Sequence, residues 1–138
     1  MLSFCQVDKL IKRGDIISLR HELDAGLDPN LASRNGYTIL MSAAIYGGTH
    51  IGRLLIERGA QVDCRSTHRE TALSLAVQSG HPSFVKLLLE RGASVDCNPH
   101  GNTLDIFLDW CERYTNGKQQ IKTIRALFDE ARSKHLAE

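Results

Sequence analysis

Apolar residues recur along this chain at helical spacing. Ile51, Leu54, Leu55 and Ile56 form one stripe, and Phe84, Val85, Leu87, Leu88 and Leu89 a second. Both are broad, as expected for helices covered on more than one side. A third stripe, Ile121, Ile124, Leu127, Phe128 and Ala131, lies near the carboxyl end. Upstream of the first, Thr38-Ile39-Leu40-Met41-Ser42-Ala43-Ala44 opens a shorter helix, with Thr38 suited to capping its free N–H groups. Ala43, Ala44 and Ala76 let a neighbouring helix approach closely. Gly47 and Gly80 end the shorter helices, Pro82 falls in a first turn where its missing N–H costs nothing, and Gly59 and Gly92 close the longer ones. The polar stretches Gln61–Glu70 and Ser94–Asn102 lead on as hairpin-like loops.

These elements repeat. Gly14, Gly47 and Gly80 are spaced by 33 residues, and so are Gly26, Gly59 and Gly92. Thr38 and Thr71, Leu40 and Leu73, Ala43 and Ala76, Leu55 and Leu88, and Asp63 and Asp96 keep the same period. A period of this length marks stacked supersecondary units, each burying its apolar side against the next. The expected architecture is a single domain over 1–138, built from repeats at 3–33, 34–66, 67–98 and 99–134, each a helix pair. The ends are expected to act as caps. The first unit lacks the Thr-Leu opening and shows Lys9, Lys12 and Arg13 where a face would be exposed. The last is one residue short, with a long helix from Leu104 to about Tyr114, a turn at Thr115-Asn116-Gly117-Lys118 and a final helix from about Gln119. On that long helix, Leu104, Phe107 and Cys111 form one stripe and Ile106 and Trp110 another. Trp110 is expected in the core, the alternative being an end-on binding or dimerisation patch.

Composition narrows the function. Seventeen Lys+Arg against sixteen Asp+Glu leave a net charge of +1, which disfavours a nucleic-acid or anionic-membrane binder. The longest apolar runs fall far short of the roughly 20 residues of a membrane helix, and no signal-peptide pattern opens the chain. A cytoplasmic or nuclear location follows, and Cys5, Cys64, Cys97 and Cys111 are expected as free thiols. No nucleophile elbow, phosphate-cradling loop, dinucleotide fingerprint or His-Glu-x-x-His pair is present. His68 and His100 hold matching loop positions but lack further ligands, and His81, beside Gly80, reads as a local structural residue. Neither a metal, a cofactor nor a catalytic group is expected. The pairs Glu57-Arg58 and Glu90-Arg91 read as the wet side of each longer helix.

The pattern Gly-x-Thr-x-Leu-x-x-Ala-x-x-x-Gly, then an apolar helix and Gly-Ala-x-x-Asp, resembles the ankyrin repeat over roughly residues 5 to 104. That resemblance implies an all-α solenoid of stacked helix-turn-helix pairs joined by hairpin-like loops. Three departures stand out. Ile39 and Ala72 replace the usual Pro, Met41 and Ser74 the usual His, and Arg69 the loop glycine seen as Gly36. A non-glycine at positive φ there would add about 1 kcal/mol of strain. The resemblance also implies a non-catalytic, monomeric module that binds another protein through its concave face. Its recognition positions map onto Arg34, Asn35, Tyr37, Ile45 and Tyr46, then Thr67, His68, Glu70, Gln78 and Ser79, then Pro99, His100 and Asn102. An inhibitor that occludes an enzyme's cleft is the alternative. Tyr and Arg are frequent binding anchors, and an exposed Ile beside two Tyr is costly to leave in water. Ile45 or Tyr46 could instead pack against the first helix pair.

Overall fold

The computed structural model describes residues 2–95, 104–114 and 118–137. Among them, eight helices form four consecutive pairs: α1 Phe4–Arg13 with α2 Ile16–Asp24, α3 Ile39–Tyr46 with α4 Thr49–Glu57, α5 Ala72–Ser79 with α6 Pro82–Glu90, and α7 Leu104–Tyr114 with α8 Lys118–Ala137. The first members pack in one row, α1 on α3 and α3 on α5, with α7 beside α5; the second members form a parallel row, α2 on α4, α4 on α6 and α6 on α8. The chain is a helix-turn-helix solenoid.

Local chemistry sets each inner helix. Thr38 accepts a hydrogen bond from the Met41 N–H at 3.2 Å, while its own N–H donates to the Met41 sulfur. At Thr71 the same reciprocal cap is closed by Ser74 at 3.1 and 2.9 Å. Met41 and Ser74, the departures from the family's His, therefore complete the cap by other means. Such a cap stabilises a helix by about 1 kcal/mol. Ser3 and Gln6 do the same for α1. The inner helices are short and buried nearly all round: Ile39 through Ala44 and Ala72 through Val77 are inaccessible. Close packing sets one further residue. A Cβ on Gly52 of α4 would lie 2.6 Å from the ring of Phe84, which is fully buried in a close-packed core.

Contacts between units repeat with the sequence. Asn30 donates to the Gly59 carbonyl and accepts from the Gln61 N–H at 2.8 Å. Thirty-three residues on, Asp63 accepts from the Ser94 N–H at 2.9 Å. The outer helix ends pair likewise, Asp24 with Arg58 at 2.6 Å and Glu57 with Arg91 at 3.9 Å. The wet-side charges thus tie neighbours together, although exposed pairs of this kind contribute only about 0–1 kcal/mol each.

The last pair corrects one expectation. Trp110 is not core: it is 43% exposed, with Ile106 and Tyr114 also open to solvent. The buried stripe of α7 runs through Phe107, Leu108 and Cys111, so residues 106, 110 and 114 turn outward together. The Trp110 and Tyr114 rings lie 5.8 Å apart at a 41° tilt. Arg69 does adopt positive φ, at 63°, in the turn position held by Gly36 at 77°.

Candidate functional site

Two hairpin tips and the ends of the inner helices supply the exposed polar and aromatic groups. Ser33 and Ser66 shape the tips. The Ser33 hydroxyl accepts from the Tyr37 N–H, and the Ser66 hydroxyl from the N–H groups of His68 and Glu70. Adjacent tips are joined by the Thr67 N–H donating to the Asn35 carbonyl at 2.9 Å. Arg34, Asn35, Thr67 and His68 consequently stand exposed on a pinned backbone.

Tyr37 is half-buried, packs against the core and donates its hydroxyl to Glu70 at 2.8 Å, linking tips 33 residues apart. The bond to the Glu70 carboxylate, then burial, raises the Tyr37 phenol above its ordinary range. Ile45 and Tyr46 end α3 at 37% and 40% exposure, the most open large apolar residues of the middle repeats. The Tyr46 hydroxyl reaches Asp8 of α1 at 3.5 Å, so Tyr46 leans on the first pair while remaining partly open to solvent. Partial burial, then the Asp8 charge, raises its phenol too. Both tyrosines stay neutral donors at neutral pH. In the next repeat Gln78 is half-buried and Ser79 exposed. Pro99, His100 and Asn102 lie outside the described residues, as does Cys97.

His81 has a structural place. Its ring Nε2 donates to the Ile45 carbonyl at 3.0 Å, closing the end of α3 from the following repeat. The ring lies against Gly47, where a Cβ would come within 2.7 Å of it. Sequence reading placed His81 at a helix start but not this cross-repeat bond. Asp8 and Asn30 were not singled out either, though Asn30 and Asp63 keep the 33-residue period.

Among the described residues, no group of three His, Cys, Asp or Glu could hold a metal ion. No helix there is long and apolar enough to cross a membrane. Cys111 is buried, and burial pushes its thiol up to about 11, a poor nucleophile at neutral pH. Cys5 is exposed and Cys64 half-buried, both as free thiols.

The family profile for ankyrin repeats, in three copies, matches residues 7–99. An ankyrin repeat-containing protein of Schizosaccharomyces pombe is 40% identical over 57 residues, covering 41% of this chain and 27% of that protein. A fem-1 homolog A-like protein of Mus musculus is 45% identical over 53 residues, 38% of this chain and 8% of its own. The ankyrin repeat and KH domain-containing protein mask of Drosophila melanogaster is 40% identical over 71 residues, 50% of this chain and 2% of its own. Each alignment thus spans only a small part of the relative. Repeats of this kind are generally protein–protein interaction modules. With profile, period and helix pairs in agreement, this chain belongs to the ankyrin repeat family.

Proposed function

We propose that the chain binds another protein through the face formed by its hairpin tips and inner helix ends, and catalyses nothing itself. The observation that carries this is the pair Ile45 and Tyr46. They stand open on a rigid helix end, while Gln78 and Ser79 occupy the same positions one repeat later. An exposed aliphatic beside an aromatic gains from desolvation by a partner. The scaffold needs no ordering on binding, so little contact energy is lost to entropy. The expected contact set is Arg34, Asn35, Tyr37, Ile45, Tyr46, Thr67, His68, Glu70, Gln78 and Ser79, with His100 and Asn102 added from the sequence resemblance alone.

The test is capture from cell lysate with the wild type and an Ile45→Ser, Tyr46→Ser double variant. Partner recovery is expected to drop at least about tenfold, while unfolding stability falls by only about 1 kcal/mol. Unchanged recovery by a folded variant would end this reading. Tyr37 is better probed by Tyr37→Phe, which removes the hydroxyl's bonds to Glu70 and Ser66 and keeps the packed ring.

A further inference from the structure

Charge is distributed unevenly over this fold. Across α1, α3, α5 and the hairpins 32–38 and 65–71, six cations (Lys9, Lys12, Arg13, Arg34, Arg65 and Arg69) meet two carboxylates, Asp8 and Glu70. Elsewhere, eleven cations and fourteen carboxylates leave the rest of the chain at −3, although the whole is +1. All six cations of this side of the first three units are exposed. Its two carboxylates are half-buried and accept from Tyr46 and Tyr37. On α7, Asp105, Asp109 and Glu112 pair with Arg125 and Arg132 of α8. Gathering like charge on one side costs self-repulsion, which an anionic partner relieves.

The apolar pair lies within this basic side. Ile45 and Tyr46 are one repeat from Lys12 and Arg13, their equivalents in α1. Neighbouring helices of such a stack run about 8–10 Å apart, within reach of a single extended segment of chain. We propose that the partner presents an acidic stretch of polypeptide to this face. Several Asp or Glu side chains would flank one aromatic or aliphatic residue. The apolar residue sits on Ile45 and Tyr46, and the carboxylates meet Lys12, Arg13, Arg34 and Arg69. This inference rests on the inner-face reading above. A peptide fits better than a nucleic acid, because Asp8 and Glu70 interrupt the even basic track that a phosphate backbone follows.

The experiment pans a display library of random twelve-residue peptides against the full chain. A selected peptide is then titrated onto the wild type, a Lys12→Glu, Arg34→Glu variant and the Ile45→Ser, Tyr46→Ser variant. Helix content and melting are checked for each, with Lys12→Gln, Arg34→Gln as a milder substitute for the charge reversal. The wild type is expected to enrich acidic peptides bearing an aromatic or aliphatic residue. Charge reversal should weaken the selected peptide at least about tenfold, and raising salt from about 0.05 to 0.3 M several-fold more. Neutral or basic peptides that bind, and are lost on Ile45→Ser, Tyr46→Ser, would overturn the acidic partner but keep the inner face. Peptides indifferent to both variants would overturn the inner-face reading itself. No enrichment, or tighter binding of a single-stranded DNA twelve-mer than of any peptide, would overturn the proposal made here.

Discussion

The second and third repeats share one plan but differ at particular positions, and those positions are instructive. Their caps, core leucines and helix ends superpose in register: Thr38 with Thr71, Leu40 with Leu73, Ala43 with Ala76, Leu55 with Leu88. Among the positions where they differ are Gly36 and Arg69, Ile45 and Gln78, Gly48 and His81, and Gly52 and Val85. Two of these differences serve the join between the repeats. Gly52 makes room for the Phe84 ring, and His81 reaches back to the Ile45 carbonyl. The other two lie at the hairpin tip and the inner helix end, where Gly36 sits close against the Ser66 backbone and Gln78 is half-buried. The capping threonines and several core leucines and alanines are therefore kept, while other buried pairs, such as Ile39 and Ala72 or Met41 and Ser74, exchange size along with the joint.

Exchanging residues between the two repeats tests this division. The largest effect is expected from Gly52→Val, which gives the second repeat the residue of the third. The branched side chain would be driven into Phe84, and overpacking of this kind costs about 2–3 kcal/mol. Urea unfolding measures it, and a loss below 1 kcal/mol would show that the ring can shift. Next comes Gly47→Ala, which combines positive φ with a collision against His81 and should cost about 1–2 kcal/mol. In a His81→Gly background only the backbone strain remains, so the penalty should shrink. An unchanged penalty in that cycle would mean that the ring is not the obstacle.

Smaller still is Arg69→Gly, which copies Gly36 into the third repeat. Relief of positive φ, set against the greater freedom of glycine when unfolded, should stabilise by about 0.5–1 kcal/mol. Destabilisation would give Arg69 a contact worth more than its strain. The least effect is at Asp15, which holds the place of Gly48 and His81 in the first repeat. The hydrogen bonds from Ser18, and less so the Arg13 charge, lower its carboxyl below 3.8. A depressed pKa means its contribution is full above pH 3.8 and lost as pH falls through the folded value. Asp15→Asn should lower the neutral plateau slightly and flatten that acid limb, so that variant and wild type converge as pH falls through the folded value.

Most of the fold was legible because buried positions recur: a glycine, a capping threonine and a leucine every 33 residues describe a helix pair before any coordinates do. Arg69 was legible for the same reason, as the residue out of place in an otherwise glycine-bearing turn. Trp110 was not, because the sequence offered two apolar stripes on α7, and only the packing against α8 and α5 shows that Leu108 joins Phe107 and Cys111 inside. The candidate site was half legible. Ile45 and Tyr46 stood out as apolar residues in a polar frame, but the bonds that tie Tyr37 to Glu70 and Tyr46 to Asp8 cross between repeats. No local pattern records them. The one-sided charge escaped for a similar reason, since a net value of +1 averages over a basic side of the first three units and an acidic remainder.

Asn30 and Asp63 grip the following loop in the same way, each through a side-chain oxygen and a backbone N–H one unit further on. A joint whose loop bond recurs at successive steps is modular at that point. A tandem copy of 34–66 inserted after Cys64-Arg65-Ser66 would meet a ready-made socket on either side. The lengthened rod should melt above its parent, and growth by duplication would then need no new chemistry at the seam.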